Sequence, residues 1–437
     1  MKIASLLLGC VCLGLSLLGP PAAPAQGPSR NEDLTSPDAN KRAKAAHEVA
    51  KSSDPASIAT LTKLLSDSSP KVRREAVLGL SSIRSPQVLD PLITATRDQD
   101  EKVRSFAIEG LTGYYSGQRP SGGLVGLWQK SVQRVRRRFT EDTFRVDPGV
   151  PVDPKVLTAL VAAMNEAALI QPAREAANAL GVLVAREAVP DLVKTAHSPD
   201  GDLAVEALTA LCKIQDRSVG PQLVDLLDSE HKDVMRQAAV TVGILKTQDA
   251  VAKLQSLYEN GPDKATRARA LEGLAYLGSP TSEPIFLKAL WSSEDELRVY
   301  AAEGLGRAGE AGALPDLEKA LLADKSAEAR LAIAFAITSL GKMDHLSDLV
   351  AELDTRLRGD AAQAYLVELA RKPDFLPRLY PSLDSDRAGV RRGLCLVLMY
   401  AGDKSSIPPL EKLSQDKNTD VATDALRALR AVRQRAE

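Results

Sequence analysis

Apolar residues recur along this chain at helical spacing, and the whole arrangement then repeats about every 31 residues. The small residue at the centre of each apolar stretch is Ala46, Ala76, Ala107, Ala176, Ala207, Ala238, Ala270, Ala301, Ala332, Ala364, Leu394 and Ala425. The steps between them are 30, 31, 69, 31, 31, 32, 31, 31, 32, 30 and 31. Large apolar side chains stand four residues before the centre (Val72, Val103, Val234, Val421) and four after it (Leu80, Leu111, Leu180, Leu429). Offsets of −4, 0, +4 and +7 trace one face of an α-helix. Three residues after the centre the side chain is often tiny, as at Gly79, Gly110, Gly273, Gly304, Ala179, Ala210 and Ala428. Glycine inside a helix costs about 1 kcal/mol against alanine, so its recurrence predicts a close approach of the neighbouring helix. A second, shorter helix is predicted between these, opening on prolines such as Pro91, Pro190, Pro315 and Pro408; proline is tolerated in a first helical turn. A fixed period of this length means stacked copies of one helix-turn-helix unit, about twelve of them, in an all-α chain.

One step breaks the beat. Between Ala107 and Ala176 lie 38 residues beyond one period. Gly117, Pro120, Gly122 and Gly123 open the extra segment as loop, and Pro148, Gly149 and Pro151 close it. Inside it Leu124, Trp128, Val132, Val135 and Phe139 share helical spacing with Lys130, Arg134, Arg136, Arg137 and Arg138, which predicts a basic amphipathic helix. Three roles fit it: an apolar stripe docked on the array with solvated arginines, a docking element for an acidic protein or polymer, or a helix on an anionic membrane surface. The chain then divides into a signal peptide (1–25), N-terminal repeats (26–115), the insertion (116–153) and C-terminal repeats (154–437).

Certain units carry a further signature. Val72-Arg73-Arg74-Glu75-Ala76, Val103-Arg104-Ser105-Phe106-Ala107, Leu297-Arg298-Val299-Tyr300-Ala301 and Val390-Arg391-Arg392 resemble the VR-x-x-A motif of HEAT repeats, in a short form similar to the repeats of phycobilisome lyases. The resemblance covers nearly all of the chain after residue 25. It implies a right-handed α-solenoid of armadillo/HEAT type, with the long helices on the concave side. It also implies an Asp–Arg ladder between units, with Asp67, Asp98 and Asp295 as the acidic members. The arginine is replaced at Ala43, Ala173, Ala204, Met235, Ala329, Ala361 and Ala422, and Asp360, Glu368 and Arg371 interrupt the unit around Ala364, which is expected to be distorted or shifted in phase. HEAT repeats serve many roles, so the resemblance speaks to fold more than to function.

Composition changes the picture in few places. Hydrophobic residues make up 44% of the chain and aromatics only 4%, a balance that suits tightly stacked helices. The formal net charge of −1 argues against a whole-surface nucleic-acid binder. Lys2, the apolar run of residues 3–18, Pro20, Pro21 and the Ala23-Pro24-Ala25 site read as a cleaved signal peptide, with an uncleaved anchor as the alternative. Export, to a periplasm or beyond the cell, is the expected fate. Cys10 sits too early in the apolar run for a lipoprotein box. Cys212 and Cys395 fall six units apart, too far for a disulfide, and are expected as buried thiols. The terminal units, with Lys41, Arg42, Lys44, His47 and Glu48 at one end and Arg427, Arg430, Arg433 and Arg435 at the other, read as polar caps.

Candidate chemistry is sparse. The four histidines, His47, His197, His231 and His345, fall in distant units and cannot converge on a metal. No phosphate loop, G-x-S-x-G or CxxC occurs. Neither catalysis nor a metal or cofactor is therefore expected, although a lyase-like enzyme or accessory factor stays as an alternative. Offsets −1, +2 and +6 are expected to face away from the core, giving a candidate groove of Arg269, Glu272, Tyr276, Tyr300, Glu303 and Arg307. Phe106, Glu109, Lys213, Leu331, Leu366, Leu396 and Tyr400 extend it. Aromatic and Arg side chains of this kind serve interface hot spots; pairing of Glu and Arg along the ladder is the competing reading. The expected partner is a protein or peptide bound by a monomer, with membrane or acidic-polymer contact through Trp128, Arg134, Arg136, Arg137 and Arg138 as the alternative.

Overall fold

The computed structural model describes residues 33–51, 53–117, 145–166 and 169–436, and among these all regular structure is helical. Twelve long helices run through it: α1 (Ala39–Ala50), α2 (Pro70–Ser82), α3 (Glu101–Ser116), α4 (Ile170–Val182), α5 (Gly201–Ile214), α6 (Lys232–Ile244), α7 (Lys264–Leu277), α8 (Asp295–Ala308), α9 (Ala327–Ser339), α10 (Gly359–Ala370), α11 (Ala388–Ala401) and α12 (Thr419–Ala436). A shorter element follows each of α1 to α11, usually a single 3-10 turn running into a helix, as in Pro86–Val88 and Leu89–Ala95. After α5 this element stays 3-10 throughout (Arg217–Asp228), because Pro221 inside it has no N–H to give an α-helical bond. Consecutive long helices pack on one another, and α3 packs on α4 directly, so the stack continues across the insertion.

The central alanines explain the spacing of the stack. Ala76, Ala107, Ala176, Ala207, Ala238, Ala270, Ala301, Ala332 and Ala425 are fully buried. Where one long helix crosses the next, the residue at +3 meets the residue at +5 of the preceding unit. A Cβ on Gly110 would stand 2.1 Å from Ser81 Oγ, one on Gly181 2.7 Å from Ala210 Cα, and one on Gly243 2.7 Å from Gly273 Cα. The tiny residues thus stand where the neighbouring helix comes close, backbone against backbone at Gly243 and Gly273 and backbone against side chain at Gly110 and Gly304.

Two units are out of the expected phase. In α1 the centre is Ala45 rather than Ala46. Arg42 then occupies the ladder position, Ala50 meets Gly79 in the crossing rule, and the first step becomes 31. In α10 the buried set is Ala362, Tyr365, Leu366, Leu369 and Ala370, which centres the helix on Leu366 and leaves Ala364 half-buried.

The ladder is present, with one change of member and one surprise. Arg42 chelates Asp67 (2.7 and 2.8 Å), Arg73 chelates Asp98 (2.7 and 2.8 Å), Arg298 chelates Asp324 (2.6 and 2.8 Å) and Arg391 chelates Asp416 (2.8 and 3.0 Å). Each arginine also donates back to a carbonyl in its own preceding turn, as Arg73 does to Asp67 O at 2.9 Å. Asp295 is not a rung, since it bonds Arg298 of its own helix while Asp324 takes the ladder place. The surprise is a second ladder, one residue along. Where Ala173 and Met235 replace the expected arginine, Arg174 bonds Asp200 at 2.9 Å and Arg236 bonds Asp263 at 2.9 Å. Both aspartates cap the next long helix and are held below the usual carboxylate range. For each, the first cause is an N–H of its own first turn, Leu203 for Asp200 and Thr266 for Asp263, and the arginine adds to it.

The terminal arginines are not simply solvated. Arg42 is a rung, Arg427 bonds Asp147, and Arg435 donates to the Met399, Leu398 and Gly402 carbonyls at the end of α11. Cys212 and Cys395 are buried thiols outside any disulfide among the described residues, and burial pushes the Cys395 thiol up to about 12.

Candidate functional site

The array curves round an interior cavity of about 950 Å³, walled by residues of α3, α5, α6, α7, α8, α10, α11 and α12. It opens among the C-terminal ends of the long helices. Those ends follow the repeat: Val184, Gln215, Lys246, Gly278 and Gly309, each eight residues past its central alanine, all take positive φ and turn the chain out of the helix. Helix C-termini carry partial negative charge, so the rim favours cations.

Residues 145–149 run across one side of the cavity. The Val146 N–H donates to Val182 O at the end of α4 (2.9 Å), and the Arg145 guanidinium donates to Lys213 O at the end of α5 (2.7 Å). Asp147 is held by two bonds from Arg427 of α12 (3.0 and 2.8 Å), and Gln434 of the same helix donates to Gly149 O at 3.2 Å. The C-terminal part of the insertion is thereby fastened to the last helix of the array.

The opposite wall is an ionic and aromatic lattice between units that are not neighbours. Arg307 of α8 chelates Glu368 of α10 (2.9, 3.1 and 3.0 Å) and reaches Glu303 at 3.2 Å. The Tyr365 hydroxyl donates to Glu303 at 2.5 Å, and the Tyr365 ring stacks on Phe335 of α9 with centroids 4.5 Å apart. Arg307 lies 4.9 Å from the centroid of Tyr276. Burial works against the charge on Arg307, but Glu368 and Glu303 outweigh it and hold the guanidinium firmly protonated. Burial alone would likewise lift the Glu368 carboxyl; Arg307 reverses this and keeps it below the usual range.

The six candidate groove residues separate here. Tyr276 and Arg307 line the cavity. Glu272, Tyr300 and Glu303 do not face open solvent as expected; they are 2%, 0% and 1% exposed. Glu272 accepts from Arg269 at 2.5 Å, which leaves the Arg269 side chain partly exposed above it, and Tyr300 donates to Glu296 at 2.7 Å. The inner curve is tight enough for α8 and α10 to meet across α9, which closes over the +2 positions. Lys213, Leu331 and Leu366 are buried as well, whereas Leu396 and Tyr400 line the cavity. Spacing along one helix did not reveal Arg145, Lys246, Gln363 or Arg371, which also line it; the recurring positive-φ position marked by Gly278 and Gly309 was the available signal for Lys246. Trp128, Arg134, Arg136, Arg137 and Arg138 lie outside the described residues.

The histidines stay apart. His47 bonds Glu75 at 2.9 Å, His197 bonds Val193 O at 2.9 Å, His345 bonds Asp348 at 2.9 Å, and His231 precedes α6. Among the described residues no group of three or more His, Cys, Asp or Glu side chains is placed to hold a metal ion, and no helix is long and apolar enough to cross a membrane.

The family model for HEAT repeats matches residues 32–112, 157–242, 189–264 and 251–338, more than half of the chain. No curated protein matches it in sequence. Similar solved structures include an engineered protein at 18% identity, covering 92% of this chain and 98% of that one, with a TM-score of 0.40. Another is the complex of CpcE and CpcF of phycocyanin lyase from Nostoc, at 17% identity over 74% of this chain and 99% of that one (TM-score 0.31). Kap121p is similar at 12% identity over 93% of this chain and 49% of its own (TM-score 0.39). Superpositions this loose carry no function across.

Proposed function

The chain belongs to the HEAT-repeat family, and on that premise we propose that it is a non-catalytic scaffold that binds a polypeptide segment in its interior cavity. The observation that carries this reading is one space walled by units from the third to the twelfth, with Tyr276, Tyr400 and Leu396 offering flat and apolar surface beside charged groups. Its volume lies at the upper end of the 300–1,000 Å³ of typical ligand pockets, enough for a few residues of an extended chain. Aromatic side chains give large contact area at small entropic cost. We further propose that the protein acts after export, on the strength of Lys2, the apolar residues 3–18 and the Ala23-Pro24-Ala25 site. N-terminal sequencing of the protein recovered from a cell-envelope fraction tests this.

The binding reading is tested with a photo-crosslinking side chain at Gln363, inside the cavity, and in a second protein at Leu322, which is 88% exposed. Crosslinks to polypeptide from position 363 and none from 322 are the expected result. Equal capture from both positions, or capture from 322 alone, removes the cavity from consideration.

A further inference from the structure

Charge is unevenly matched around the cavity. Arg307 and Arg427 have carboxylate partners in Glu368 and Asp147. Arg145, Arg217, Lys246 and Arg371 also line it, and none has an ion pair among the described residues; Asp360 is the one lining carboxylate there in the same condition. Arg145 and Lys246 each donate to a carbonyl at a helix end, Lys213 O and Tyr276 O. A carbonyl satisfies an N–H without neutralising the cation behind it. Burial therefore pulls the Arg145 guanidinium below its ordinary value, with Arg371 adding to the effect, and it brings Lys246 down to about 8, with Arg307 adding.

The backbone gives a second, independent observation. Lys246 sits at φ +58°, at a point of the repeat filled by Val184 and Gln215 in the two units before it and by Gly278 and Gly309 in the two units after. Glycine adopts that conformation freely and lysine does not. Three of these five units accept that strain, and at Lys246 it fixes a cation in the cavity wall.

We propose that the cavity takes an acidic polypeptide segment, its carboxylates bound by Arg145, Lys246 and Arg371 and its apolar atoms against Tyr276 and Tyr400. This rests on the cavity being a polypeptide site and adds the sign of the ligand. The guanidinium forks of Arg145 and Arg371 suit carboxylates, which accept two parallel N–H bonds, and Lys246 supplies a further point charge.

The test uses the full chain and fluorescence anisotropy with labelled hexaglutamate, hexalysine and a Ser/Gly hexamer. The variants are Lys246→Gly and Arg371→Glu. The first relieves backbone strain and the second changes an exposed side chain, so both are expected to give the helical spectrum of the parent. Hexaglutamate should bind tightest, and each variant should weaken it by about tenfold. Hexaglutamate binding left unchanged by both variants overturns the proposal, because the acidic probe then sits elsewhere, on the basic residues 130–138 for example. Preference for hexalysine or the Ser/Gly hexamer overturns the assigned charge while leaving the polypeptide reading in place. If none of the three binds, the proposal fails, and crosslinking from Gln363 decides the broader reading separately.

Discussion

Replacing Gly273 by alanine tests the idea that the period is fixed by backbone contact. On helix propensity alone the change should stabilise α7 by about 1 kcal/mol. The new Cβ, however, stands 2.2 Å from the Ala239 carbonyl oxygen and 2.9 Å from its carbon. Those are backbone atoms of α6 and cannot rotate away. Restoring ordinary contact parts the two helices by about 1 Å, and all the packing between them loosens with it. Overpacking typically costs about 1–3 kcal/mol, and a rigid neighbour puts this site at the upper end, so the net loss should be about 2 kcal/mol. Gly312→Ala is the control, because its Cβ meets nothing within 4 Å; it should be neutral or stabilise by about 0.4–1 kcal/mol. Urea titrations followed by circular dichroism read both, alongside amide exchange in α6 and α7. A Gly273→Ala protein as resistant to urea as the parent, with unchanged exchange, refutes the argument that touching backbones set the spacing.

The ladder predicts that Arg73→Ala costs about 3 kcal/mol, since it strands Asp98 in a site 11% exposed. The double change with Asp98→Asn should recover part of that loss in the same titration. The phase of α10 is checked by truncation: Leu366→Ala should cost about 2–5 kcal/mol and Ala364→Ser almost nothing, the reverse of what a centre at Ala364 requires. Lys246 gives a pH test. Its folded value lies near 8 against an ordinary 10.5, so between those limits the unfolded chain holds a proton the folded one has released, and stability rises with pH across that window. The charged groups acting on it are Arg307, Glu368 and Arg217; the arginines stay protonated and Glu368 stays ionised, so the rise should shrink in Lys246→Gly to the share left by Lys372, which burial also lowers. Arg427→Ala should raise amide exchange in α12 and in residues 145–149 together, while α1 and α2 keep the parental rate.

How much of this was legible in the sequence depends on the range of the interaction concerned. Central alanines, the apolar offsets and the tiny +3 residues act within one helix or between neighbours, so a single period displays them. The first unit was misphased because Ala45 and Ala46 stand side by side and both are buried; only the pairing of Arg42 with Asp67 separates them. The substituted ladder positions hid a second ladder because the arginine had moved one residue, to Arg174 and Arg236, and an α-helix at that point still aims it at the next cap. The candidate groove fared worst. Whether Tyr300 and Glu303 meet solvent depends on how sharply the array bends, and that is fixed by Arg307, Tyr365 and Glu368 meeting across an intervening unit. No property of one repeat encodes that distance.

The fastening of Asp147 to Arg427 has a consequence for how the chain acquires and loses its shape. An open array of repeats folds like a zipper, starting anywhere and fraying from its free end, because each unit speaks only to its neighbours. This contact spans 280 residues. Closing a loop of that length in the unfolded chain carries an entropy term of about 5 kcal/mol, so the bond forms only once the intervening units have stacked and brought its two ends together. It is then the last event of assembly and the first barrier to disassembly. The twelfth unit, which in an open array would fray most readily, is tied to the stability of the fourth.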